Sequence, residues 1–394
     1  MTHAPPYVTI ERLSRIGPLS TVGEHALMAD ANESVEAPAR VIAVKSALWS
    51  GQYEQLASLI DRADDNLQHL LRAVRDQFLG HQQQAMMALD RFIVPRPLAL
   101  YAAELRCELA IDSGTIPEAI ASHAEMVSCL PPARPDQGAR GRSLMLSARI
   151  HVMKGRILHA RSTFTHALKA ARQAKDHVNT GRILTSLGRL LVDLRAYDEG
   201  RTAHLSALRI HERVGNIMGC AASLGGLGLV HLGKGMTADG AQALRQAIHR
   251  CEQLHALAAE AAWRQHLDAA LVLLQREELR IRELQVFIRV VQRLGDTQRE
   301  AALWCELGNT WRDIRDPEAA LPCYEAALRL SSLTADDITL AVDHYNLGCT
   351  YALLERHEES RQSFEAALHA APEGPLSPEL RARLGRTIAP PEQP

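Results

Sequence analysis

Apolar residues recur along most of the chain at the spacing of amphipathic helices. From residue 141 onward, apolar side chains lie three or four positions apart within segments that short turns separate. Asp316 and Pro317 place a proline at the first turn of one such segment, and Gly215 and Gly295 follow the ends of two others. The pattern therefore predicts an all-α chain whose helices form pairs.

The predicted pairs repeat at a constant spacing. A small residue marks the first helix of most copies; the marker positions are Ala148, Gly188, Gly228, Asp268, Gly308 and Gly348. A small, a large and a small residue follow each marker at fixed distances, as in Ser360, Phe364 and Ala367. Since residues four apart share a helix face, the large residue should fill the space beside the marker. The copy around Asp268 departs most from this code.

Two copies carry enough of this code to resemble a known family, the tetratricopeptide repeat. The copy at 301–334 has Trp304, Leu307, Gly308, Trp311, Ala320, Tyr324 and Ala327. The copy at 341–374 has Leu347, Gly348, Tyr351, Phe364, Ala367 and Pro372. The spacing of the copies is similar to that of the long-unit variant found in bacterial regulators. The resemblance implies a right-handed α-α superhelical solenoid of helix-turn-helix units.

The repeat predicts five segments. Residues 1–37 should be loosely ordered, and 38–130 should hold about three degenerate helical repeats with irregular steps. The Pro- and Gly-containing stretch 131–140 is predicted to be a loop. Six regular units should follow at 141–374, and 375–394 should form a capping helix and a disordered tail.

Composition narrows the class of protein and its compartment. Aromatic residues make up 4% of the 394, which suits closely packed helices. A net charge of −2 argues against direct nucleic-acid binding, which needs a large basic field. The sequence contains no apolar run long enough for a transmembrane helix, and its seven cysteines have no CxxC spacing. We therefore expect a cytoplasmic protein that binds no membrane.

The chemistry-bearing motifs are better explained by packing than by catalysis. Gly228, Gly233 and Lys234 approach a phosphate-binding loop, but Gly235 stands where Ser or Thr is needed. His204 falls in an aromatic position of the repeat and should be a packing imidazole. No zinc-binding spacing or nucleophile motif is present in the sequence. We therefore expect no enzymatic activity, cofactor or metal.

The resemblance implies that the first helix of each unit lines a concave groove. The residues that it places there as candidates for peptide binding are Arg142, Arg149, Arg182, Arg189, Leu229, Leu232, Asn309 and Arg312. Four arginines beside an apolar patch suit an acidic or C-terminal segment of a protein or peptide partner. The competing interpretation is that these arginines pair with Asp or Glu of the same chain. Only Asn309 matches the carboxylate clamp of chaperone-binding members.

Two functions follow from this pattern. The first is a non-enzymatic protein–protein interaction scaffold that holds a peptide or protein segment in its groove. The alternative is a regulatory sensor, similar to the repeat domains of bacterial transcriptional regulators, that binds a signalling peptide or small molecule and acts through another protein.

Overall fold

The computed structural model describes residues 33–95, 98–130, 137–334 and 337–388. These ranges hold nineteen α-helices and no strand, which confirms the all-α prediction. Residues 1–32 of the predicted N-terminal segment, 131–136 of the predicted loop and 389–394 of the tail lie outside the described residues.

The helices before residue 130 are unequal in length, from 9 to 18 residues. They are α1 (Glu33–Ser50), α2 (Tyr53–Asp61), α3 (Asp65–Leu79), α4 (Gln82–Asp90), α5 (Ala99–Asp112) and α6 (Ile116–Ser128). The repeat code persists here in part. Cys107 and Ala119, twelve positions apart, are both fully buried, and the Cys107 thiol donates to the Ala119 carbonyl at 3.5 Å.

The next twelve helices are regular. They are α7 (Gln137–Met153), α8 (Ile157–Gln173), α9 (His177–Asp193), α10 (Tyr197–Val214), α11 (Ile217–Gly233), α12 (Thr237–Gln253), α13 (Leu257–Leu273), α14 (Glu277–Leu294), α15 (Thr297–Asp313), α16 (Pro317–Thr334), α17 (Asp337–Leu353) and α18 (His357–Ala370). Their first residues are evenly spaced along the chain. A last helix, α19 (Ser377–Ile388), buries Leu380 in a cluster with Phe364.

A left-handed residue lies just beyond the end of most of these helices. The residues concerned are Gly155, Lys175, Arg195, Gly215, Gly235, His255, Gln275, Gly295, Arg315 and Glu355, with φ between 45° and 77°. At the first, the Arg156 amide donates to the His151 carbonyl at 2.8 Å and the Gly155 amide to that of Val152 at 2.9 Å. These two hydrogen bonds together form a Schellman motif, which satisfies backbone carbonyls at the helix end.

The helix α7 starts earlier than the sequence suggested. It begins at Gln137, so residues 137–140, which were predicted to belong to a loop, are helical. Of the prolines that indicated a loop, the last is Pro135. Beyond it, Gly138 and Ala139 are buried, so burial favours the helix over the polar loop that the glycines suggested.

Within a pair, each marker glycine contacts the large residue of the code. A Cβ added to Gly308 would lie 2.8 Å from Cε1 of Tyr324, and one on Gly348 would lie 2.6 Å from the ring of Phe364. Tyr324 is fully buried. The predicted packing rule is confirmed in these two pairs, because only a residue without a side chain leaves room for the ring.

The chain forms two compact units, which divide between Trp263 and Arg264, inside α13. In unit 1, consecutive pairs stack so that the first helix of one pair contacts the first helix of the next. In unit 2, Ala320, Tyr324 and Leu347 form one buried cluster, and Phe364, Ala367 and Leu380 form another. Each unit is thus a stack of helix pairs, as the predicted solenoid requires.

Unit 1 also closes on itself. The Tyr53 hydroxyl, at the start of α2, donates to the carbonyl of Leu254, 201 residues later. Phe78 of α3 packs on a cluster that includes Cys251 and Leu254, and a Cβ at Gly80 would lie 2.6 Å from that of Ala258. We call these contacts, together with that of Gly51 on Leu254, the closure contact. They bring the first pairs of unit 1 against α11–α13.

Candidate functional site

Three of the four predicted arginines of unit 1 pair with carboxylates of α5. Arg142 Nε lies 3.1 Å from Glu104 Oε2, and Arg182 Nη2 lies 2.5 Å from Glu108 Oε1. Arg149 Nη2 lies 2.8 Å from Asp112 Oδ1. The helix α5 precedes α7 by one pair and α9 by two, so these arginines have internal partners that join successive pairs.

The first helix of the chain covers one end of this row. Lys45 lies 3.7 Å from Glu104, and the guanidinium of Arg182 lies 5.4 Å from the ring centre of Trp49. Burial raises the pKa of Glu108, but Arg182 and Lys45 more than offset this effect, so its pKa lies below the usual range. Arg142 and Arg182 therefore act as structural cations under α1.

Arg189 is paired far less tightly. Its carboxylate partner is Asp193 on the same helix, at 3.7 Å, and its side chain is 51% exposed. Exposed pairs of this kind contribute little to stability. Its guanidinium is therefore available for another anion at small cost.

Arg149 and Arg189 line a cavity of about 370 Å³. The rest of its wall combines hydroxyls with apolar surface: Ile111, Val152, Met153, Phe164, Thr185, Ser186, Leu190, Asp193, His204, Ala222, Gly226 and Trp263. Arg149 also lines a second cavity of about 290 Å³, whose wall includes Trp49, Phe78 and Met218. The two cavities thus meet at one arginine.

His204 forms part of the wall of the first cavity and is 1% exposed. Burial and the nearby Arg189 lower its pKa to about 4, an effect that the Gly188 carbonyl opposes. Among the described residues, neither ring nitrogen has a hydrogen-bond partner of normal geometry. The wall therefore presents a neutral imidazole at physiological pH.

The comparisons with known proteins identify the fold. Residues 299–373 match the family model described as tetratricopeptide repeat. Residues 299–373 are therefore tetratricopeptide repeats. A comparison with curated protein sequences finds no match.

Two solved structures resemble this chain over most of its length. A chain of the APC/C hetero-tetramer Cut9-Hcn1 is 14% identical, with a TM-score of 0.55 over 96% of this chain and 68% of that one. A Rap protein complexed with competence and sporulation factor is 11% identical, with a TM-score of 0.56 over 89% of this chain and 99% of that one. At such identities the likeness shows the fold alone.

The remaining predicted residues lie elsewhere. Leu229 and Leu232 are half-buried and are not among the residues that line the cavity at Arg189. A Cβ at Gly240 would lie 2.7 Å from Leu232, which therefore packs between α11 and α12. In unit 2, the Asn309 side-chain oxygen accepts from Tyr324 at 2.8 Å and from Arg312 at 3.2 Å. Internal bonds thus occupy Asn309 and Arg312.

The repeat pattern did not indicate the aromatic part of the site. Trp49, Phe78 and Trp263 lie in the cavity walls, but two of them belong to the irregular pairs and the third to the weakest copy of the repeat. Aromatic residues are scarce in this chain, so the few that it has were the available signal for these cavity walls.

Neither a metal centre nor a membrane span is found in the described part of this chain. It contains no cluster of three or more His, Cys, Asp or Glu side chains that could hold a metal. It also contains no helix that is long and apolar enough to span a bilayer. Repeats of this family generally serve as scaffolds rather than as enzymes.

Proposed function

We propose that the protein is a non-enzymatic scaffold that holds an acidic or C-terminal segment of a partner protein in the cavity at Arg149 and Arg189. The observation that supports this proposal is the position of Arg189, a weakly paired guanidinium beside apolar wall residues. A ligand that carries a carboxylate next to an apolar side chain would complement both features.

The chemistry of the cavity divides the task between its residues. Arg189 would bind the carboxylate through charge-assisted hydrogen bonds, and Thr185 and Ser186 offer hydroxyls beside it. Val152, Met153 and Trp263 would cover an apolar side chain. Arg149 is tied to Asp112 at 2.8 Å, so it contributes shape and a partly compensated charge.

The structural relatives support this proposal at the level of the fold. The Rap protein was solved in complex with competence and sporulation factor, and Cut9 in a hetero-tetramer with Hcn1. A stack of helix pairs of this kind can therefore hold a partner.

A charge reversal at Arg189 tests the proposal. The probes are random hexapeptides immobilised on an array, read first with the natural chain and then with Arg189→Glu. We expect selection of peptides that carry a carboxylate near an apolar residue, and a loss of at least about tenfold in their affinity with the variant, which corresponds to about 1.4 kcal/mol.

The matched control is Arg209→Glu on the exposed side of α10. It changes the net charge of the chain by the same amount and should leave the selected peptides bound. Equal affinity of the natural chain and the Arg189 variant would overturn the proposal.

We also propose a reducing compartment, the cytoplasm, because all seven cysteines are free thiols. Tagged protein followed through cell fractionation would test this location.

A further inference from the structure

We propose that the closure contact of unit 1 gates the cavity at Arg189, so that the closed form described here excludes a partner segment and opening admits it. This inference rests on the proposed function of that cavity. It concerns the regulation of the site rather than its chemistry.

The closure contact is a seam without chain continuity. Consecutive pairs of unit 1 are joined by the chain and by continuous apolar packing. The Tyr53 hydroxyl and the Leu254 carbonyl, in contrast, meet across 201 residues. Separating them therefore breaks no covalent link between neighbouring pairs, and the unit can open there at the lowest cost.

Two glycines of the seam approach the opposite side closely. Gly80 has a φ of 87° and approaches Ala258 so closely that a Cβ would lie 2.6 Å from the alanine methyl. A Cβ at Gly51 would lie 3.1 Å from Leu254. Any added atom at Gly80 forces the two sides apart, because atoms in real proteins do not approach so closely.

The seam is physically connected to the site. Phe78 of the seam packs on the same apolar cluster as Trp263, which lines the cavity at Arg189. Met218 belongs to this cluster too and lines the second cavity, which shares Arg149 with the first. A displacement of α3 therefore changes the wall of both cavities.

The closed form leaves little room for a chain. The cavities measure about 370 and 290 Å³, which accommodates a few side chains rather than an extended segment. Trp49 lies over Arg182, where such a segment would run along α7 and α9. Opening moves Trp49 away and joins the two cavities into a groove.

If only the open form binds, the apparent affinity equals the affinity of the open form multiplied by the fraction of molecules that are open. A variant that loosens the seam should therefore bind more tightly, although it adds no contact to the ligand. This sign is opposite to the one expected of ordinary damage to a binding site.

The experiment compares Gly80→Ala with Gly114→Ala in the full chain. Gly114 has a φ of 78°, so both variants carry the same backbone strain, but in the described part of the chain nothing lies within 4 Å of a Cβ at Gly114. Tyr53→Phe is a milder second variant, since it removes only the hydroxyl that bonds Leu254.

The first readout needs no ligand. Gly80→Ala should raise hydrogen exchange of amides in 217–221 and around 53 at least about threefold over Gly114→Ala, while amides of 297–313 in unit 2 stay unchanged. Tyr53→Phe should change exchange in the same direction. Equal exchange in Gly80→Ala and Gly114→Ala would overturn the gate.

The second readout uses the hexapeptides selected by the natural chain. Gly80→Ala should raise their association rate about tenfold and Gly114→Ala should not. Loss of binding in Arg189→Glu with no gain in Gly80→Ala would retain the site and reject the gate. Increased exchange without selective peptide binding would retain the opening and reject the site, and with it the gating of that site.

Discussion

The imidazole of His204 fills the space that the missing side chains of Gly188 and Gly226 leave between three helices. A Cβ at Gly188 would lie 2.8 Å from Cε1 and Nε2 of the ring, and one at Gly226 would lie closer still. The ring is 1% exposed, so it cannot move aside into solvent.

This packing predicts the effect of Gly226→Ala. In an ordinary helix the change would stabilise by about 0.5–1 kcal/mol. Here overpacking against His204 should cost about 1–3 kcal/mol, so the unfolding free energy should fall by up to about 2.5 kcal/mol. Urea unfolding measures it. Gly226→Ala should cost less in a chain that already carries His204→Ala than in the natural chain. Strict additivity of the two free-energy changes would contradict the contact.

A second prediction concerns acid. Burial lowers the pKa of His204 and of His211 to about 4, from the ordinary value of 6.5. Between these values the unfolded chain binds protons that the folded chain does not. Stability should therefore be complete above pH 6.5 and fall as the pH drops toward 4, by up to about 1.4 kcal/mol per pH unit for each histidine.

His204→Phe provides the control for the acid effect. Phe164 and Phe364 occupy the same position in other repeats, and Phe364 packs on Gly348 as His204 does on Gly188. The variant should remain folded at pH 7.5, and its melting temperature should depend less on pH below 6.5. An unchanged slope would assign the acid sensitivity to other groups.

A third prediction arises from the exceptional copy of the repeat in unit 2. Arg280 Nε lies 2.7 Å from Asp268 Oδ1, and the same guanidinium lies 2.7 Å from Glu306 and 3.0 Å from the Thr310 hydroxyl. Asp268→Gly would leave the buried cation with one carboxylate and should cost about 2–4 kcal/mol. The double change Asp268→Gly and Arg280→Ala restores the glycine and alanine of the Gly308 copy. It should be much closer to the natural stability, and a double-mutant cycle measures the coupling.

A fourth prediction uses the residues that end the helices. Arg195 and Gly235 occupy equivalent positions in successive units, with φ of 59° and 77°. Left-handed backbone costs a residue other than glycine about 1–2 kcal/mol, partly offset by the lower chain entropy of the unfolded state. Arg195→Gly should raise the unfolding free energy by about 0.5–1 kcal/mol, and Gly235→Ala should lower it by about the same. Thermal unfolding of both checks the pair, and a shared sign would refute the explanation.

The regular part of the fold was predictable because its contacts lie within one unit. Gly308 and Tyr324 belong to the two helices of a single pair, so the repeat indicated both the pairing and its reason. The helix ends were harder, since Lys175 and Arg195 have no intrinsic preference for the conformation they adopt. The even spacing of the helices imposes that conformation on them.

The site was predictable only in part. The repeat selected Arg142, Arg149 and Arg182 as well as Arg189. The carboxylates that pair with the first three lie in α5, where irregular steps left the register open. The contact of Tyr53 with Leu254 spans 201 residues and follows no repeat, so no local pattern could indicate it. Asp268 and Arg280 each depart from the repeat code, and the ion pair between them explains both departures.

The meeting of Tyr53 and Leu254 also restricts how this gene can evolve. Arrays of this kind grow and shrink by whole-unit duplication or loss, and one extra copy inserted between α7 and α12 would carry Leu254 away from its hydroxyl. Closure of unit 1 therefore requires a fixed number of helix pairs between Tyr53 and Leu254. Selection for closure would fix the number of copies before Trp263. A copy added after Trp263 would leave the contact of Tyr53 with Leu254 intact.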